Sequence, residues 1–173
     1  MVSQLKVNEI IKQSGSSISI GVDGDTVSGP FTNVPSFFAY QSSAQSIGNT
    51  TQTTVTYDTV LYDTASCFST STYRYTPNVA GKYFFGMTVR FDNVNSSRCI
   101  GYIYKNTSIY TLDEMWSDSG SGPDLSPKNY AIMNMNGTTD YVEAKCYHDK
   151  GFAVNTNPVN EAINFFGCRL TGA

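Results

Sequence analysis

The chain has 173 residues, a net charge of −3, 40% hydrophobic residues and only 14% charged ones, against about 25% charged in an ordinary soluble domain. Eleven scattered Lys and Arg make no basic patch, which argues against nucleic acid as a partner, and no window nears the ~18 apolar residues of a membrane span. Twelve Tyr and ten Phe stand beside a single Trp, and Ser, Thr and Asn fill the place of charges, which is the composition of a β-rich protein, while the length allows one domain and a short appendage.

Residues 1–34 differ in character from the rest of the chain. Met1-Val2-Ser3-Gln4-Leu5-Lys6 carries no apolar h-region, so no secretory signal peptide is expected. Leu5, Val7, Ile10 and Ile11 form a short apolar patch, Ser14-Gly15-Ser16-Ser17 interrupts it, and Ile18 and Ile20 alternate with serines as in a strand. Gly21-Val22-Asp23-Gly24-Asp25 and Ser28-Gly29-Pro30 are turn signals. So short a segment cannot bury these side chains on itself. It is expected to be an arm that docks on the head, a sister chain or another protein through Leu5, Val7, Ile10, Ile11, Ile18 and Ile20.

Residues 35–173 are expected to form the head. Phe37-Phe38-Ala39-Tyr40 opens it, and Val55 and Tyr57 alternate with Thr54 and Thr56. Tyr83, Phe85, Met87, Val89 and Phe91 are apolar at every odd position, against Lys82, Gly86, Thr88 and Arg90, with Phe84 as the exception. This period of two predicts a strand with one face in a core. Ile100, Tyr102 and Tyr104 continue the theme, as do Val142, Ala144 and Cys146, and Phe166, Cys168 and Leu170 close the chain. Turns are predicted at Pro77-Asn78-Val79-Ala80-Gly81, Tyr104-Lys105-Asn106-Thr107 and Asn136-Gly137-Thr138, the last as the Asn-Gly of a tight hairpin. Short, evenly spaced strands with polar turns predict an all-β sandwich or barrel.

The four cysteines, Cys67, Cys99, Cys146 and Cys168, are too widely spaced for zinc, and their expected state is free and buried, with disulfides as the alternative. Asp23-Gly24-Asp25 is too short for a calcium loop, and no Lys-Ser/Thr comes after Gly24 or Gly29 to make a phosphate loop. No cofactor or metal is expected. His148, the one histidine, sits in Tyr147-His148-Asp149-Lys150-Gly151, which reads as a polar loop without a nucleophile elbow, so no catalytic residue is assigned. The segment from Asp113 to Asp124 reads as an irregular surface loop. Its Asp113, Glu114, Trp116, Asp118 and Asp124 are the candidate contact residues, with Trp116 either touching sugar or protein or tucked under its own loop.

Several stretches in order resemble the globular head of the complement-subcomponent and tumour-necrosis-factor superfamily. They are Pro35-Ser36-Phe37-Phe38-Ala39-Tyr40, Val55 through Asp63, Phe68 through Pro77, Val79-Ala80-Gly81-Lys82-Tyr83-Phe84-Phe85, Tyr104-Lys105-Asn106 and Asn164 through Leu170. The resemblance implies an antiparallel jelly-roll β-sandwich of about ten strands that works as a homotrimer, with Tyr73, Tyr75, Tyr83, Phe85 and Phe166 in its core or trimer contacts. Departures lie at Asn136-Gly137-Thr138-Thr139-Asp140 and in the 112–128 loop. Leu5-Lys6-Val7-Asn8-Glu9-Ile10, with Ser14-Gly15-Ser16 after it, resembles the start of structural proteins of cyanophages and other marine phages. Together these imply a non-enzymatic virion-surface protein, assembled in the host cytoplasm and released by lysis. Its partners would be other virion proteins and, in a tail fibre or adsorption component, a host cell-surface glycan or protein. The alternatives are a capsid decoration protein at threefold positions and a spike that binds or cleaves glycans.

Overall fold

Thirteen strands form among the described residues of the computed structural model, which are 34–118 and 124–170. The candidate docking residues Leu5, Val7, Ile10, Ile11, Ile18 and Ile20 lie outside them. Val34 onward makes one compact unit. Its first sheet holds β10 (Lys128–Met135), β7 (Gly81–Thr88), β13 (Asn164–Arg169), β1 (Ser36–Tyr40) and β4 (Thr59–Asp63), in that order. The second sheet runs β5 (Phe68–Ser69), β6 (Arg74–Tyr75), β11 (Val142–His148), β8 (Ser97–Lys105) and β9 (Ser108–Ser117), with β3 (Thr53–Thr54) also on β11. β2 (Ser46–Ile47) and β12 (Val154–Asn155) pair at one end. Every pairing is antiparallel. The chain passes repeatedly between the sheets, as in a jelly roll. An exception is the β8–β9 hairpin, closed by Asn106 at φ 56° and Thr107.

Odd positions of β7 point into the core, where Tyr83, Phe85 and Met87 have no exposed surface; Val89 and Phe91 beyond it have none either. Phe37 from β1 and Phe165 from β13 join them, with ring centroids of Phe37 and Phe165 5.0 Å apart. The second sheet adds Tyr75, stacked on Phe37 at 4.2 Å. Each such side chain contributes about 1.5–3 kcal/mol by leaving water, so this aromatic nucleus is what joins the two sheets. Cys99 and Cys146 are buried and all four cysteines are free. Burial pushes the Cys99 thiol up to about 12 and raises that of Cys146 further.

The structure corrects several readings. Phe166 and Cys168 do not face the core, because β13 presents Phe165 and Gly167 inward and those two outward. The adjacent Phe165 and Phe166 leave the register open in the sequence, and a shift of one residue reverses the face. Tyr73 does not enter the core beside Tyr75. It is a half-buried turn residue at φ 57° just before β6. Asn136-Gly137 does not close a hairpin, because β10 and β11 belong to different sheets. Gly137 at φ 72° turns the chain while the Asn136 side-chain oxygen accepts the amides of Thr138, Thr139 and Asp140, each at 2.9 Å. Ile100, Tyr102 and Tyr104 form a second buried cluster rather than part of the main core.

His148 is not in a polar loop. It ends β11, fully buried, with Nε2 2.9 Å from the Ile47 carbonyl and Nδ1 accepting the Lys150 amide at 3.3 Å. Asp113 to Ser117 are not loop either, since they continue β9 to its end.

Candidate functional site

The sequence places two phenylalanines side by side three times, at Phe37-Phe38, Phe84-Phe85 and Phe165-Phe166. In a strand, adjacent side chains point to opposite faces. Phe37, Phe85 and Phe165 therefore enter the core, and Phe38, Phe84 and Phe166 stand on the other face of the same sheet, half-buried. Tyr130 of β10 and Tyr62 of β4 extend them, 52% and 47% exposed.

The result is a row of five rings, one from each strand, in strand order. Tyr130 and Phe84 stack at 6.1 Å, Phe84 meets Phe166 at 6.1 Å, Phe166 stacks on Phe38 at 6.1 Å, and Phe38 reaches Tyr62 at 6.5 Å. Gly86 makes room for it, because a Cβ there would lie 2.4 Å from the Phe166 ring. Ile132 of β10, 57% exposed and paired with Phe84, carries the apolar surface along that strand. A contiguous apolar face of this kind marks a binding surface more often than a bare exterior. One step along the sheet it gives way to Lys128, Thr88 and Asn164, which are cross-strand neighbours. With Arg90, Ser126 and Ala162 they line a cleft of about 350 Å³.

The five candidate contact residues separate. Glu114 and Trp116 alternate outward on β9 and touch: the indole Nε1–H donates to Glu114 Oε1 at 2.6 Å. Trp116 is 63% exposed, so it is not tucked under a loop. Asp113 points the other way, and its Oδ2 accepts the Lys128 amide at 2.9 Å. Asp118 is exposed just beyond β9. Asp124 is held in a network with Arg90 at 2.5 Å, the Asn93 amide at 3.2 Å and Asn157 at 3.1 Å. Burial raises the Asp124 carboxyl, but the Asn93 amide and the Arg90 guanidinium outweigh it and hold it below the usual carboxylate range.

The residues around Trp116 come from three adjacent strands. Arg98 lies opposite it on β8, with its guanidinium 5.5 Å from the indole centroid and 5.2 Å from that of Tyr147 on β11. The same guanidinium is 3.7 Å from Glu114, 3.4 Å from Asp149 and 3.4 Å from the Tyr147 hydroxyl. Among the described residues, no group of three or more His, Cys, Asp and Glu is placed to hold a metal ion. Other acidic side chains are engaged by cations as well. Glu143 pairs with Arg74 at 2.8 Å and Lys145 at 3.2 Å, and Asp140 with Lys105 at 2.9 Å.

No protein-family model and no curated protein matches the chain. Solved structures do. A tumour-necrosis-factor protein, Eiger from S. frugiperda, is 11% identical with a TM-score of 0.58, over 81% of this chain and 93% of its own. The globular domain of zebrafish complement 1qA is 14% identical with a TM-score of 0.59, over 79% of this chain and 97% of its own. Murine APRIL is 10% identical with a TM-score of 0.61, over 80% of this chain and 100% of its own. The chain from Val34 onward thus has the jelly-roll β-sandwich fold of complement and tumour-necrosis-factor heads.

Proposed function

We propose that this protein is a non-enzymatic, homotrimeric head on a virion surface, a tail-fibre or adsorption component attached through residues 1–34. The five-ring row on the first sheet carries the reading. A contiguous row of half-exposed aromatic rings on a sheet face marks a surface that a partner covers, and the second sandwich layer covers only the opposite face. Another copy of the same face supplies the other cover, in a closed symmetric assembly. Likeness to complement and tumour-necrosis-factor heads favours three copies over two. The cyanophage-like start of the chain, with Leu5, Val7, Ile10, Ile11, Ile18 and Ile20 as docking residues, favours a virion position. Both ring nitrogens of His148 are taken by backbone groups, which leaves the histidine no role as a base.

The second reading, a capsid decoration protein, is favoured by the short stretch between Ile20 and Pro35, which leaves little room for a shaft. Two measurements test the proposal. Purified protein should compete with particles for host cells, and quantitative mass spectrometry of particles should find a few to a few dozen copies each. Hundreds of copies without competition would favour decoration, and absence from particles would refute a virion role.

A further inference from the structure

We infer that Trp116, Glu114, Arg98, Tyr147 and Asp149 form a preassembled platform for a neutral pyranose, and hence that the ligand of the head is an uncharged glycan. The inference rests on the recognition reading above and names its ligand class.

An indole that is 63% exposed on a strand is costly to leave bare. It is also fixed in place. Glu114 holds its Nε1–H at 2.6 Å, and Arg98 lies against the ring at 5.5 Å. Arg98 is in turn held by Asp149, whose Oδ1 accepts the Arg98 amide at 2.7 Å, and by Tyr147. Groups already ordered lose little conformational entropy when a ligand arrives.

The chemistry suits a sugar ring. The open indole surface packs on the C–H face of a pyranose, two carboxylates accept hydroxyl hydrogens, and the guanidinium donates to a hydroxyl or ring oxygen. Two carboxylates against one guanidinium leave the platform with one net negative charge. That disfavours uronic and sialic acids and phosphorylated ligands, and selects neutral hexoses or N-acetylhexosamines. The platform lies on the second sheet, while the aromatic row lies on the first, so assembly through the row leaves it available. Three copies would then multiply a weak single contact.

Trp116 is the only tryptophan in the chain, so its emission reports this site alone. The full-length protein is titrated with the methyl glycosides of glucose, galactose, mannose and N-acetylglucosamine, and with glucuronate. At least one neutral glycoside should give a saturable blue shift with a dissociation constant on the order of millimolar, and glucuronate none. E114Q should weaken that binding about tenfold, and saturation transfer from protein to sugar in NMR should vanish in W116A. Emission unmoved by all four glycosides, or equal saturation transfer in W116A, overturns the platform. Sedimentation of the same samples separates the two ideas. A monomer with a saturable shift keeps the platform and refutes the trimer; a trimer with silent emission does the reverse.

Discussion

Replacing Tyr130 by Lys tests the aromatic row with the fold held constant. Tyr130 is 52% exposed and stacks on Phe84 at 6.1 Å, so the subunit alone gains little from its ring. A large aromatic side chain buries roughly 150–250 Å², so burying the exposed half in an interface removes about 100 Å² from water. At about 25 cal/mol per Å² that is about 2.5 kcal/mol per subunit, or about 7.5 kcal/mol for three. A tenfold change in association costs about 1.4 kcal/mol, so Y130K lowers the assembly constant by about five orders of magnitude. The desolvation of a buried ammonium adds to the loss. Analytical ultracentrifugation should find Y130K as a monomer at micromolar concentration, with a β-sheet circular dichroism spectrum like that of the parent. L112K, on β9 of the other sheet and 48% exposed before substitution, should keep the parent mass. The reasoning fails if Y130K stays assembled, or if it loses its folded spectrum together with its mass.

Three further outcomes are expected from the core and the charge pairs. Gly167→Ala places a Cβ 2.5 Å from the Phe85 ring and 3.0 Å from the Phe37 ring, at the centre of the sandwich; overpacking there should cost about 1–3 kcal/mol in urea unfolding. Hydrogen bonds from Lys105 and Asn106 hold the Asp140 carboxyl below its usual range. Its contribution is present above the unfolded carboxyl value of about 3.9 and is lost as pH falls through the lower folded value, so D140N should flatten stability against pH below about 4. A thiol reagent at pH 8 should reach Cys99 and Cys146 only after unfolding, because both are buried with raised thiols.

The fold is legible in the sequence because alternation is a strong signal wherever one face is polar. Tyr83 through Phe91 and Val142 through Cys146 lie in strands or strand extensions facing the core as their pattern implies. Reading fails where both faces are apolar. Phe84 looks like an exception within β7, yet it is one of five rings on the outer face, and Phe165-Phe166 fits either register. The repeated Phe doublets are the missed signal: an adjacent apolar pair in a strand has to place one member on each face. Trp116 stands out in the sequence as a candidate and is exposed on β9, but its neighbours Arg98, Tyr147 and Asp149 do not stand out. Strand pairing across β9, β8 and β11 brings them together, and that juxtaposition is long-range. Asp124 misleads for the converse reason, since an acidic residue beside glycines reads as solvated until Arg90, 34 positions away, is seen beside it.

The face bearing Tyr130, Phe84, Phe166, Phe38 and Tyr62 is expected to be covered by copies of the same chain. Sedimentation equilibrium of the purified full chain at micromolar concentration tests it most directly. A particle of three times 18.9 kDa is expected; a single species of 18.9 kDa would leave the face uncovered and refute the assembly.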